Sequence, residues 1–357
     1  MKRASIINFI SVLSNEILTI KSALTKENIQ TSFNKNLPVI NHNKPFQSLN
    51  FLKSNIFTIH IILKDTNHSL LFEKCYESDN FGNFHISIST KDFSEEVNFI
   101  EVYETSIAPG IELHLGVFFP MKISNPKNII ISDFDKTLVD TKYSTTKEVF
   151  NSLTQPLNFF PTVKQSLDLF NKYRDNGFHP FILSASPLFY ERPIRDWLYQ
   201  NKIYNASIFL KDLRRMFSID LGDLTTKDIK LQGIYKLNHL IDIICMTGIP
   251  DKLILIGDNF ESDPIIYATL AKILNQNPGP WAIWNKIHDM KYYQLTTKQN
   301  TLLLEKLYYL NSILQEKGKS HNVEIEIFIR TNNKEDIIRL PDFFAPCKKI
   351  IQPYYAS

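Results

Sequence analysis

The chain has 357 residues, 43% of them apolar and 22% charged, and carries a formal net charge of +3 at pH 7. This length and apolar content suit two domains with real cores and exclude wholesale disorder. So small a charge is no argument by itself for a nucleic-acid partner, and none is expected. Cys75, Cys245 and Cys347 lie far apart, which argues for a reducing compartment and against both a disulfide framework and a zinc site.

Residues 1 to about 30 place Ile6, Ile7, Ile10, Leu13, Ile17, Leu18 and Ile20 at helix-like spacing. The start, Met1-Lys2-Arg3 ahead of an apolar run, only faintly mimics a signal peptide. Asn8 interrupts the run and no small-x-small cleavage site follows, so an amphipathic helix is expected. The polar stretch from Gln30 to Ser48 reads as a linker, giving a first unit over 1–48. The period then changes to two. Phe57 to Ile61, Phe84 to Ser89, Phe99 to Tyr103 and Leu113 to Phe118 alternate as strands, with turn chemistry at Asp79 to Asn83. They predict a small antiparallel, β-sandwich-like domain over 49–125. His60, His85 and His114 fall on its strands, where a solvent-facing position explains them better than a metal site.

From Asn128 onward strands alternate with helical patterns, the mark of a doubly wound parallel sheet, expected here over 126–300. Helices are predicted over 150–176 (closed by Gly177), 190–200, 234–246, 264–274 and 297–317. Strands are predicted at 178–183, 206–210, 253–258, 281–284 and 323–330. The remainder, 301–357, reads as a helix-and-strand extension packed on that domain. No stretch approaches eighteen apolar residues in a row, the length a spanning helix needs.

The chemistry gathers at strand ends. Ile129-Ile130-Ile131-Ser132 runs into Asp133-Phe134-Asp135-Lys136-Thr137, and two carboxylates crowded there repel unless a cation or a shared proton relieves them. Phe181-Ile182-Leu183 ends in Ser184-Ala185-Ser186-Pro187. Lys236 opens a helix, and Leu253 to Ile256 leads into Gly257-Asp258-Asn259-Phe260-Glu261-Ser262-Asp263. Open parallel sheets bind ligands at such carboxyl ends, and hard oxygen donors suit Mg²⁺.

In this ordered set the chain resembles the haloacid dehalogenase superfamily of phosphatases. It is most similar to the actin-patch-type phosphatidate phosphatase catalytic domain, through Ser-x-Ser-Pro, Leu210-Lys211-Asp212 and the trailing Asp263-Pro264-Ile265-Ile266-Tyr267. Lys136, Lys211 and Asn259-Phe260 depart from that family's pattern near the substrate, without removing a catalytic group. The resemblance implies a Mg²⁺-dependent phosphomonoester hydrolase working through an aspartyl-phosphate. Asp133 is then the nucleophile and Asp135 the general acid and base. Ser184 and Lys236 hold the phosphate. Asp133, the Asp135 carbonyl and Asp258 bind the metal, with Asp263 and Thr137 supporting them.

Blander readings stand beside these. Ser184 could merely end a strand, Lys236 competes with Lys227 and Lys230, and Glu261 is a loop acid or reaches the metal shell. Lys211, Arg214 and Arg215 form either a solvated face or a headgroup contact. The short gaps around Ser184 leave little room for a cap, so the site should be nearly capless and open to bulky substrates. Phosphatidate or a similar lipid phosphate is the expected substrate, with peripheral membrane contact from the cytoplasm; secretion without a signal stays open. The alternatives are a phosphotyrosine-protein phosphatase and a catalytically silent binding protein.

Overall fold

Asn15 and Glu16, both left-handed (φ 51° and 60°), turn the first strand back on the second. Two positive-φ residues in a two-residue loop match the twist of a hairpin. β1 (Lys2–Ser14) and β2 (Ile17–Asn28) pair antiparallel along their length, so the expected amino-terminal helix is a hairpin. Two features disguised it. A register shift between Ile6 and Asn8 breaks the alternation, and both faces are covered. Ile10 and Val12 join the core of the α/β body, while Leu13, Leu18 and Ile20 join that of the β domain. The structure, a computed structural model, describes residues 2–28, 55–106, 110–141, 157, 160–212, 214, 233–260, 262–290, 292–293, 297–318, 322–331, 333 and 338–355. The expected linker at 30–48 lies outside them.

The hairpin belongs to a sandwich. β3 (Thr58–Lys64), β4 (Leu70–Glu77), β5 (Asn83–Ser89), β6 (Phe99–Glu104), β7 (Leu113–Phe118) and the short β8 (Met121–Lys122) complete two four-stranded sheets, ordered β5-β2-β1-β8 and β4-β3-β6-β7. Ile59, Ile61, Leu63, Ile100 and Val102 from one sheet meet Leu18, Ile20, Ile86 and Ile88 from the other. The sandwich therefore starts with the first strand, not near residue 49. His85 and His114 are exposed, and His60 pairs with Glu112 at 3.1 Å, as outward-facing strand positions should.

The second body is α/β. Its elements are β9 (Asn128–Asp133), α1 (Lys164–Asp175), β10 (His179–Pro187), α2 (Glu191–Gln200), β11 (Ser207–Lys211), α3 (Gly233–Thr247) and β12 (Lys252–Asp258). They continue as α4 (Asp263–Gln276), α5 (Pro280–Ile287), α6 (Thr297–Lys317), β13 (Glu324–Thr331) and β14 (Ile351–Tyr355). The six strands form one parallel sheet, ordered β11-β10-β9-β12-β13-β14. Ile129, Ile131, Leu253 and Leu255 face α3, α4 and α6, while Ile130, Ile182, Ile254 and Ile256 face α1 and α2. Burial on both faces explains why these strands read as unbroken apolar runs.

Two expectations fail here. Residues 281–284 are helical: Pro280 follows Gly279 as an N-terminal start, and Trp281, Trp284 and His288 stack at helical spacing. The sheet also does not end near residue 300, because β13 and β14 are its fifth and sixth strands. Of the helix predicted over 150–176, only α1 forms among the described residues: 160–163 are not helical, Thr162 pairing instead with Val139 in an isolated bridge, while Gly177 (φ 84°) ends α1 as expected. No helix among the described residues is long and apolar enough to cross a membrane.

The chain leaves β9 toward β10 and β11, then returns to β12 on β9's other side. That reversal opens a crevice at the carboxyl ends of β9 and β12, where the acidic motifs lie.

Candidate active site

β9 delivers Asp133 to the sheet's carboxyl edge with 1% of its surface exposed. The chain then turns through Lys136, left-handed at φ 58°, with the Leu138 amide donating to the Phe134 carbonyl at 2.9 Å. This turn brings Thr137 back onto the strand end, where its Oγ1 donates to Asp133 Oδ2 at 3.1 Å. Thr137 therefore touches the candidate nucleophile itself.

Lys236, in the first turn of α3, is wholly buried. Its Nζ lies 3.0 Å from Asp133 Oδ1 and 2.5 Å from Asp263 Oδ1. A buried ammonium must be paired, and here two carboxylates do so. This excludes the solvated-lysine reading; the rivals Lys227 and Lys230 lie outside the described residues.

β12 ends on Asp258, whose Oδ1 accepts from the Phe260 amide at 2.6 Å. The Asp258 amide in turn donates to Asp263 Oδ2 at 3.3 Å. The Tyr267 hydroxyl donates to the Ile256 carbonyl at 3.1 Å, and burial together with Asp263 pushes its phenol well above the usual range. Carboxylate oxygens of Asp133, Asp258 and Asp263 lie within 4.8 Å of one another. Three hard, buried oxygen donors at a strand-end crevice fit a divalent cation such as Mg²⁺. Asp263, expected only to support the site, belongs to this inner group.

Asp135 faces another way. Its Oδ2 accepts from Ser184 Oγ at 2.8 Å and Ser186 Oγ at 2.9 Å, and its Oδ1 from Thr141 Oγ1 at 3.3 Å. The Ser186 amide donates to Ser184 Oγ at 2.9 Å, so Ser184 is more than a strand terminator. Buried Tyr190 also lies beside Asp135: burial first, then that carboxylate, raises its phenol pKa. Ser186 and Thr141 had no assigned role; the hydroxyl of Ser-x-Ser-Pro was the only signal for the first.

The two described members of the basic cluster, Lys211 and Arg214, are not a solvated face. Both are buried, and Arg214 donates to Asp212, to the Leu24 carbonyl at 2.8 Å and to Asn83 Oδ1 at 2.6 Å, tying the end of β11 to the sandwich. Arg215 and Glu261 lie outside the described residues, as do 142–156 and 215–232, on which the capless expectation partly rests.

With this geometry in place, residues 128–280 match the family model described as phosphatidate phosphatase APP1, catalytic domain. Over that segment the chain is similar to that family's catalytic domain. The segment carries all of the acids, the lysine and the serines above, while β13 and β14 lie beyond it. No curated protein matches the chain.

Among solved structures, the chain is similar to a Parabacteroides merdae β-glucuronidase (12% identity, TM-score 0.28), with 98% of this chain and 36% of that chain covered. A Ruminococcus gnavus β-glucuronidase follows at 8% identity and TM-score 0.25, covering 96% of this chain and 57% of that one. IrmA from Escherichia coli matches 32% of this chain and 86% of its own at 16% identity and TM-score 0.17. The chain thus spans about a third of the first of these enzymes, and TM-scores of this size carry no argument about the matched segment.

Proposed function

We propose that the phosphatase domain is a haloacid-dehalogenase-type, Mg²⁺-dependent hydrolase that acts on phosphatidate or a similar lipid phosphate through an aspartyl-phosphate. The observation that carries this reading is Lys236 Nζ bridging Asp133 and Asp263 inside a group of three buried carboxylates.

An anionic nucleophile reaches a phosphate only if charge is screened on both sides. Lys236 neutralises part of the carboxylate group, and Thr137 orients Asp133 for attack. Mg²⁺, held by Asp133, Asp258, Asp263 and the Asp135 carbonyl, would supply the remaining screening of the phosphate. An Asp133 oxygen attacks phosphorus, and the bond from phosphorus to the leaving alcohol breaks. Asp135 gives that alcohol its proton. The resulting Asp135 anion is stabilised by the hydroxyls of Ser186 and Thr141. Asp135 then takes a proton from the water that hydrolyses the aspartyl-phosphate, releasing inorganic phosphate and restoring Asp133. Ser184 serves the phosphate by turning its hydroxyl from Asp135 to a phosphoryl oxygen when substrate arrives.

Asp133→Asn should lower release from an aryl phosphate by at least roughly a thousandfold while the protein stays folded. Chelation should abolish turnover, and Ca²⁺ should fail to restore it because its coordination is looser. An Asp133→Asn enzyme of wild-type rate would remove the nucleophile assignment. Substrate class is decided by phosphate release from phosphatidate in mixed micelles, phosphopeptides and soluble sugar phosphates side by side. Release confined to phosphopeptides would favour the phosphotyrosine reading suggested by Phe260, 39% exposed near Lys136. A lipid substrate entails peripheral membrane contact, reached from the cytoplasm.

A further inference from the structure

Arg330 is the next-to-last residue of β13, outside the matched segment, and stands beside Asp258 in the parallel register of β12. Only 7% of its surface is exposed. Its Nη1 donates to the Lys136 carbonyl at 2.6 Å and to Asp140 Oδ1 at 3.1 Å. Its guanidinium carbon lies 5.7 Å from the Phe260 ring centroid, and its buried Nε has no hydrogen-bond partner among the described residues. The Arg330 carbonyl also accepts from the Asn259 amide at 2.9 Å, tying it to the loop after β12.

These contacts meet at one point of the catalytic machinery. Lys136 is the left-handed residue of the turn, flanked by Asp135 and Thr137. A lysine with positive φ is disfavoured and would relax if nothing held it. Arg330 grips its carbonyl from a strand fixed to β12 by paired residues from Lys252↔Glu324 to Asp258↔Arg330. A buried guanidinium with an unsatisfied nitrogen is a poor arrangement for stability alone, which points to a constraint from function.

We propose that Arg330 is a positioning residue for the phosphatase reaction, holding the Lys136 turn so that Asp133 and Asp135 stay in attacking geometry. This inference rests on the assignment of those two acids. It also makes the carboxy-terminal strands part of the active site's framework. Misplacing reacting groups by about an ångström costs on the order of a hundredfold in rate.

The test compares Arg330→Met and Arg330→Lys in the full chain, with p-nitrophenyl phosphate as substrate and thermal melting in parallel. Arg330→Met should lower kcat by about ten- to a hundredfold, with KM within about threefold of wild type. Its melting temperature should change little. Arg330→Lys, a single ammonium on a flexible stem, should fall between the two in kcat. Wild-type kcat in a folded Arg330→Met overturns the proposal. So does a loss confined to KM, or one that follows a matching loss of melting temperature in both variants. Should Arg330→Met fail to fold, Arg330→Lys decides: reduced kcat with KM and melting kept supports the role, and wild-type kcat overturns it. Asp133→Asn run alongside separates the two levels. If that variant stays active, the nucleophile reading falls; if it is dead while the Arg330 variants run at wild-type kcat, only the role of Arg330 falls.

Discussion

Gly257 shows how tightly single residues are bound into the site. A Cβ built there would lie 2.5 Å from Asp263 Oδ2 and 2.7 Å from the Tyr267 ring. Neither neighbour can retreat without breaking a contact: Asp263 is held by Lys236 and the Asp258 amide, and Tyr267 by the Ile256 carbonyl. Gly257→Ala should therefore cost about 2–3 kcal/mol as an overpacked core position. It should also lower kcat at least tenfold by pushing Asp263 off Lys236. A urea titration and an aryl-phosphate assay read the two effects, and an unchanged midpoint would show that the loop gives way freely. The Gly-Asp to Asp-Pro-x-x-Tyr pattern is thus one packed unit, which is why those residues were legible in the sequence. Arg330 was not, because its partner carbonyl lies 194 residues away and no local spacing records such a contact.

At the level of elements, the helix that carries Lys236 is anchored by its middle as well as its start. Asp242, further along α3 from Lys236, meets Lys21 of β2 at 2.6 Å, Lys306 of α6 at 2.7 Å and His239 Nδ1 at 3.4 Å. Burial pushes the Asp242 pKa up, but Lys21, His239 and Lys306 outweigh it and hold the carboxyl well below its usual range. Asp242→Asn leaves two lysines facing each other across a buried seam. With both partly exposed, the loss should be about 2 kcal/mol, discounted from that of a fully buried pair. Burial also lowers the His239 pKa to about 4. The unfolded chain, with an ordinary histidine near 6.5, takes up its proton first on acidification. This contribution is complete above that pH and is lost as pH falls from about 6.5 through 4. Since 26% of the side chain stays exposed, about 2 kcal/mol is at stake. Denaturant midpoints across this window should slope for the wild type and flatten for His239→Asn; equal slopes would remove His239 as the cause. None of this seam was legible, because it depends on recognising β1 and β2 as strands. A bulge and two covered faces gave their apolar residues a helical look.

For the molecule as a whole, parallel strands with acids at their ends were legible, while the limit of the sheet was not. β14 carries Pro353, which a sheet tolerates at an edge strand, and it follows a 3-10 segment over Asp342–Ile350 that has no strand or helix period. Its placement beside β13 appears only in three dimensions. A fragment cut to 126–300 should therefore fail to fold, although it contains every acid, serine and lysine of the proposed mechanism. The cut turns β12 into an open edge. It also removes Leu303, Leu307, Leu310, Val323, Ile325, Ile327 and Ile329 from one core. At about 1.5–3 kcal/mol for each buried side chain, the loss is on the order of 10 kcal/mol or more. That equals the whole stability of an ordinary domain, about 5–15 kcal/mol. Circular dichroism and thermal melting of the purified fragment provide the check, with a broad, non-cooperative transition or aggregation expected. A sharp melt with retained aryl-phosphatase activity would show instead that β13 and β14 only decorate the sheet, and it would contradict the role of Arg330 at the same stroke.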